Sequence, residues 1–308
     1  MSCKEIDSSN NKKRIIAVLL ILILCLSMFS GCGRVNSTAG TGVYFDTVVE
    51  IRIFDKKGEK LLQECFDMCE EMENILSAQK EGSELWNLNH RKEQSVEVSE
   101  DLAVCISQGL FYGEVSDGAF DITILPLREL WDFENASRVP DEEAIQEALT
   151  KVDFRKVHVN GNTVTFDDPK IQIDLGGIAK GYISQKIKAH LEEAGCTSAL
   201  INLGGNVSAL GTKPDGTKWM VGIQEPFAER GTIRETVELD GGSVISSGVY
   251  ERYFEENDVR YHHILDPKTG YPVETDLQQV TVIGKDDVRG DALSTIGILL
   301  GKETSLVI

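Results

Sequence analysis

The stretch Asp174 to Tyr182, DLGGIAKGY, constrains this chain more than any other. Residues 170–175 read as a strand, Gly176-Gly177 as a turn, and Ile178 to Ala194 as a helix with Ile183, Ile187 and Leu191 along one face. A strand, glycines and a helix start in that order can hold a phosphate. The first N–H groups of a helix lack intrahelical partners and carry positive partial charge, and glycines let an anion approach the backbone. Lys180 adds a mobile cation. The same glycines also serve as a plain tight connection, and the stretch by itself favours neither reading.

Charge narrows the ligand. The 308 residues carry a formal net charge of −19. Nucleic acid is not an expected partner, because its phosphates need a Lys/Arg surface that this composition lacks. A phosphate-bearing ligand must be met locally, by backbone dipoles, a few cations or a metal. The N-terminus is a separate element. Lys12, Lys13 and Arg14 precede the apolar run IIAVLLILILCLSMF, which ends in Ser30-Gly31-Cys32: a basic n-region, an h-region and small residues at a cleavage point. The run is short for a membrane span, and the polar stretch GRVNSTAGTG follows it. Residues 1–31 therefore read as a lipoprotein signal peptide, Cys32 as the lipidated first residue of the mature chain, 32–42 as a linker and 43–308 as the folded domain. Phe29, where an aliphatic residue is usual, keeps a retained N-terminal anchor as the alternative. Either way the domain is held at a membrane, outside the cytoplasm, with a net charge of about −21 once residues 1–31 are removed. Of the seven cysteines, Cys3 and Cys25 leave with the signal. Cys65, Cys69, Cys105 and Cys196 lack CxxC spacing, and the first three, set in apolar helical patterns, read as buried free thiols.

Along the domain, Val48 to Phe54 alternates as a strand, and Leu62, Cys65, Phe66, Cys69, Met72 and Leu76 recur at helical spacing. LSAQKEGSELWNLN reads as a polar loop carrying Gln79 and Trp86. Ser99 caps a helix running to about Ser116, and DITILPLRELWDF follows the turn at Asp117-Gly118 as a further helical stretch. Asn160-Gly161-Asn162 marks a hairpin. Strands are expected at 198–203, ending in Gly204-Gly205, then at 219–223, 233–239, 241–245 and in LQQVTVIG. Asp291 and Thr295 lie four apart on one face of a helix, in what reads as its first turn. Two oxygen donors at that spacing suit a hard cation such as Mg²⁺, although an isolated pair of this kind is more often an N-cap Asp and a Thr bonded to its own helix. The whole reads as one α+β unit with two lobes.

Phe45-Asp46-Thr47, SELWNLN, GAFD, IDLGGIAKGY, INLGGN, HHILDPKTGYP and DALST occur in this order across nearly the whole mature chain. Together they resemble the ApbE-type flavin transferases, the FAD:protein FMN transferases. The resemblance implies an ApbE/T-fold-like unit, a mixed β-sheet flanked by helices. It implies FAD as substrate, in contact with Phe45, Gln79, Ala119, Phe120, Asp121, Asp174, Lys180 and His263. It further implies Mg²⁺ on Asp291, Thr295 and the carbonyl of Gly177. A Thr or Ser hydroxyl of a membrane redox protein would attack the FMN-side phosphorus and AMP would leave, with His263 or Asp291 taking the proton. Asp174, an acid beside a phosphate cradle, is expected to bind a nucleoside hydroxyl or amine. Gln79 stands where the family often has an aromatic ring, which keeps FAD hydrolysis to FMN and AMP as an alternative, beside a non-catalytic flavin-binding lipoprotein. The chain ends soon after DALST, where the family usually continues into another strand-bearing segment, so the sequence reads as a truncation that exposes a sheet edge.

Overall fold

The computed structural model of the protein describes residues 37–305. The signal peptide and Cys32 lie outside them. β1 (Thr38–Tyr44) and β2 (Thr47–Ile53) form an antiparallel hairpin, and β2 buries Val49, Ile51 and Ile53 on alternate positions. The linker expected over 32–42 is corrected here, since residues 38–42 are strand. Their small side chains serve packing: a Cβ on Gly40 would lie 2.8 Å from the ring of Phe66, on helix α1 (Gly58–Leu76). The hairpin turns at Phe45 and Asp46, both at positive φ (53° and 55°), as a two-residue turn matching strand twist requires.

The loop expected around Trp86 holds a helix instead. In α2 (Glu84–Asn89), Ser83 accepts a hydrogen bond from the Trp86 N–H at 3.1 Å, so a cap starts a helix too short to show periodicity. After β3 (Ser95–Glu97) comes α3 (Glu100–Val115), capped by Ser99 as its sequence indicates. Then follow α4 (Leu125–Trp131), α5 (Glu142–Leu149), and the hairpin β4 (Val157–Asn160) and β5 (Thr163–Phe166).

The strand expected over residues 170–175 is corrected here: Lys170 lies in a turn and 171–175 belong to no ladder. The Asn89 side chain replaces a partner strand, donating to the Ile173 carbonyl at 2.8 Å and accepting from its N–H at 2.7 Å, while the Asp174 N–H donates to the Ile122 carbonyl. A side chain 84 residues away is invisible to local pattern. The Gly-rich turn then feeds α6 (Ala179–Glu193).

The remaining strands are β6 (Ala199–Leu203), β7 (Asn206–Leu210), β8 (Trp219–Gln224), β9 (Ile233–Leu239), β10 (Gly242–Gly248), β11 (Tyr253–Glu256), β12 (Val259–His262) and β13 (Gln279–Gly284). The central sheet runs β1-β2-β6-β7-β10-β13. The α+β class holds, but every ladder in this sheet is antiparallel rather than mixed. Helices α1, α6 and α7 (Asp287–Ser305) pack on the sheet, and the β8–β9 ribbon adds a further core around Trp219, Val221 and Val244. A second core cluster is built on Trp131, whose indole donates to the Gly270 carbonyl at 2.8 Å and packs with Leu127, Ile145, Phe254 and Leu265. Helix α7 begins at Asp287, so Asp291 lies a full turn inside it and is not its cap.

Candidate functional site

A cleft of about 1130 Å³ opens beside the Gly-rich turn. Phe45, Gln79, Ala119, Phe120, Asp121, Asp174, Gly177, Lys180, His263 and Thr295, drawn from six stretches of sequence, all line it. Asp291 does not: its side chain is 3% exposed and sits behind Lys180.

The floor of the cleft is set by α6 meeting α7. At Gly181 a Cβ would lie 2.3 Å from the Asp287 carbonyl oxygen and 2.9 Å from Asp291 Cβ, so only glycine permits this approach. The closeness lets the Gly181 N–H, an unpaired donor in the first helical turn, donate to Asp291 Oδ2 at 2.9 Å. Asp291 Oδ1 accepts from Asn206 Nδ2 at 2.8 Å and lies 3.3 Å from Lys180 Nζ, which also donates to the Gly176 carbonyl at 3.3 Å. Below this level Asp287 is fully buried, paired with Lys188 at 2.7 Å and bonded by Ser208 at 2.8 Å. Thr295, one turn beyond Asp291, shares a hydrogen bond with Ser247 at 3.1 Å.

The Gly-rich turn is held from the other side by Asp174. Its Oδ1 accepts from the Gly176 N–H at 2.7 Å, and its Oδ2 accepts from Arg128, a cleft residue that no sequence pattern marked. The Asp174 charge in turn holds the Arg128 guanidinium above its ordinary range. Asp121 also serves the fold: Oδ1 takes the Thr123 N–H and hydroxyl at 2.7 and 2.6 Å, and Oδ2 takes the Phe154 N–H at 3.0 Å. Burial pushes its carboxyl up. Phe120 lies against Gly177, where a Cβ would come within 2.8 Å of its ring. Ala119 and Phe120 are buried, while Gln79 is exposed at the rim.

His263 faces the cleft from the segment after β12. Its Nδ1 is 3.3 Å from the Arg252 carbonyl; a carbonyl only accepts, so this contact places the proton on Nδ1 and leaves a lone pair on Nε2. Burial, and then the Arg252 charge, push the imidazole down to about 3. Its neighbour His262 points away, with Nε2 3.1 Å from the Val273 carbonyl. Arg128, Lys180, Arg230 and Arg252 bring cations to a cleft that acids such as Asp46, Glu129, Asp132 and Glu134 also line.

Among the described residues no cluster of three or more His, Cys, Asp or Glu could hold a metal. The donors available here are a carboxylate already oriented by two neutral hydrogen bonds, the Thr295 hydroxyl and a main-chain carbonyl. That set fits a hard divalent cation that keeps waters and shares its shell with phosphate, and it does not fit zinc or another thiophilic ion.

Fold and site together define an α+β protein with a deep cleft beside a Gly-rich turn. The ApbE family model matches residues 45–308, and the chain belongs to that family. It is 35% identical to the FAD:protein FMN transferase of Treponema pallidum over 93% of this chain and 85% of that protein. It is 36% identical to one from Klebsiella pneumoniae over 80% and 77%. Its fold matches the ApbE protein of Thermotoga maritima (TM-score 0.81, 32% identity, 89% and 90% of the two chains). It also matches the flavin transferase ApbE of Vibrio cholerae (TM-score 0.80, 26% identity, 88% and 89%).

Proposed function

We propose that this protein moves FMN from FAD onto a Thr or Ser hydroxyl of a membrane-associated redox protein, releasing AMP, with Mg²⁺ as its metal. One observation carries the reading: in a chain of this family, Gly177, Lys180, His263 and Thr295 converge on one dinucleotide-sized cleft with Asp291 directly behind. The acceptor oxygen bonds to the FMN-side phosphorus as the bridging P–O bond breaks, and AMP leaves with the electron pair. The hydroxyl proton passes to His263 Nε2, which has a free lone pair facing the cleft, whereas the Asp291 carboxylate is buried and engaged by three donors. Approaching phosphates raise the depressed His263 pKa toward neutrality, so the base strengthens when substrate is present. Phosphoryl transfer depends on alignment and charge neutralisation, and a divalent cation held by Asp291, Thr295 and the Gly177 carbonyl supplies part of the latter. Cleavage after Gly31 would leave lipidated Cys32 to tether the domain to the outer face of the membrane.

With FAD, Mg²⁺ and a candidate acceptor, intact mass should show a covalent FMN adduct that is lost in Asp291→Ala or with EDTA. Intact FAD and no adduct on any acceptor tested would refute the proposal. A second reading, FAD hydrolysis, is favoured by Gln79, which puts an amide rather than a ring at the cleft rim. Release of AMP and FMN with no acceptor present would support it.

A further inference from the structure

We infer, building on that reading, that Lys180 is the resident counter-ion of Asp291 and yields the carboxylate to a divalent cation only when a diphosphate takes up its ammonium. Lys180 occupies the first turn of α6, the positive end of the helix dipole, where a cation is disfavoured unless an anion holds it. Asp291 is that anion, 3.3 Å away. The other two donors to Asp291, the Gly181 N–H and the Asn206 amide, are neutral, so the ammonium is the formal charge paired with this buried carboxylate. The second lysine that α6 directs at α7, Lys188, is committed to Asp287.

Position turns this pairing into a gate. Thr295 and Gly177 line the cleft and Asp291 does not, while the Lys180 side chain is 29% exposed and does line it. A cation entering alone must part the ammonium from Asp291 at a helix N-terminus, in a lining where Asp174 and Glu134 are already held by Arg128 and Arg252. A cation arriving with a diphosphate offers that ammonium an anion to move to. Metal and diphosphate therefore bind cooperatively, and by linkage each tightens the other.

Mn²⁺ alone, followed by the EPR signal of the free ion, is the probe, with the folded state of each variant checked by its melting curve. Removing the ammonium in Lys180→Met, or in Lys180→Gln as an independent replacement, should tighten Mn²⁺ binding by roughly tenfold or more. Adding Asp291→Asn should abolish the gain. Arg230→Met removes an equal charge from the same cleft without touching Asp291, and should change Mn²⁺ affinity by less than about threefold. ADP binding should weaken in Lys180→Met by about fivefold or more at saturating Mn²⁺ but by less than about twofold in EDTA, where Asp291 holds the lysine in the wild type. Equal Mn²⁺ affinity in wild type and Lys180→Met, an equal gain from Arg230→Met, or an equal ADP loss with and without metal overturns the hand-over while leaving the metal site in place. Absence of Mn²⁺ binding in every protein at millimolar ion overturns the metal site and the hand-over together.

Discussion

Replacing Gly181 with alanine tests whether the α6–α7 contact sets the site. Gly181 lies inside α6 and is not among the glycines at positive φ, so alanine suits the backbone and favours the helix by about 1 kcal/mol. The cost is packing alone. The new Cβ would stand 2.3 Å from the Asp287 carbonyl oxygen, 2.8 Å from its carbon and 2.9 Å from Asp291 Cβ, against an ordinary limit of 3.4 Å. None of these atoms is the tip of a flexible side chain, so the helices must part by about 1 Å. The 2.9 Å bond from the Gly181 N–H to Asp291 then stretches out of range. Overpacking of about 1–3 kcal/mol and loss of a hydrogen bond to a charged group, about 1.5–3 kcal/mol, outweigh the helical gain and leave a net loss of about 1.5–5 kcal/mol. Thermal melting should fall by roughly 3–20 °C. AMP release from FAD should fall by about a hundredfold, because Asp291 moves relative to Gly177. Gly284→Ala, where a Cβ meets nothing within 4 Å, is the matched control and should shift stability by less than about 0.5 kcal/mol. A Gly181→Ala protein that melts with the wild type and turns over normally would refute this account of the site.

Three further outcomes follow from the same contacts. Asp174→Ala frees both Arg128 and the Gly176 N–H, so FAD affinity should drop by about tenfold with Mn²⁺ affinity changed less than about threefold; the reverse order, read by titration, would displace Asp174 from the cradle. Lys188→Met leaves Asp287 as an unpaired carboxylate in a fully buried place and should cost about 3–5 kcal/mol in urea unfolding, with Asp287→Asn added to it recovering part of the loss. His263 takes its proton near 3 when folded and near 6.5 when unfolded, so between those values the unfolded chain binds more protons. Its share of stability is therefore present above about 6.5 and lost as pH falls toward 3, and His263→Gln should flatten that part of the stability profile.

The order of elements was legible because apolar periodicity survives in the sequence: α1 buries Cys65, Cys69, Met72 and Leu76 of the expected stripe, with Leu61 in place of Leu62 and with Phe66 half-buried. Elements held by single polar contacts were not. Residues 170–175 carry a strand-like pattern, yet their partner is the side chain of Asn89, and β1 hides behind a glycine-rich composition that reads as tether. Asp291 and Thr295 share one helix as their spacing indicates, but that helix begins at Asp287, so Asp291 meets Gly181 and Asn206 from a buried turn. Arg128 left no signal, because it matters only through Asp174, 46 positions on. Asn206 had one, its place in INLGGN after a glycine pair.

Long-range and local electrostatics oppose one another at this cleft, and salt separates them. Three of its cations are already matched by acids: Arg128 by Asp174, Lys180 by Asp291 and Arg252 by Glu134. Locally a diphosphate exchanges these partners one for one. At a distance it meets only the field of a chain with net charge −19, which repels a dianion. Raising ionic strength from about 10 to 150 mM shortens the screening length from roughly 30 to 8 Å, which removes the repulsion before it removes contacts inside the cleft. The association rate of FAD, followed by stopped-flow quenching of flavin fluorescence, should therefore rise several-fold over that range, with the dissociation rate rising less. An enzyme that attracted its dinucleotide through an exposed cationic face would show the opposite. A fall in association rate with salt would mean that Arg230 and its neighbours project a field the net charge conceals.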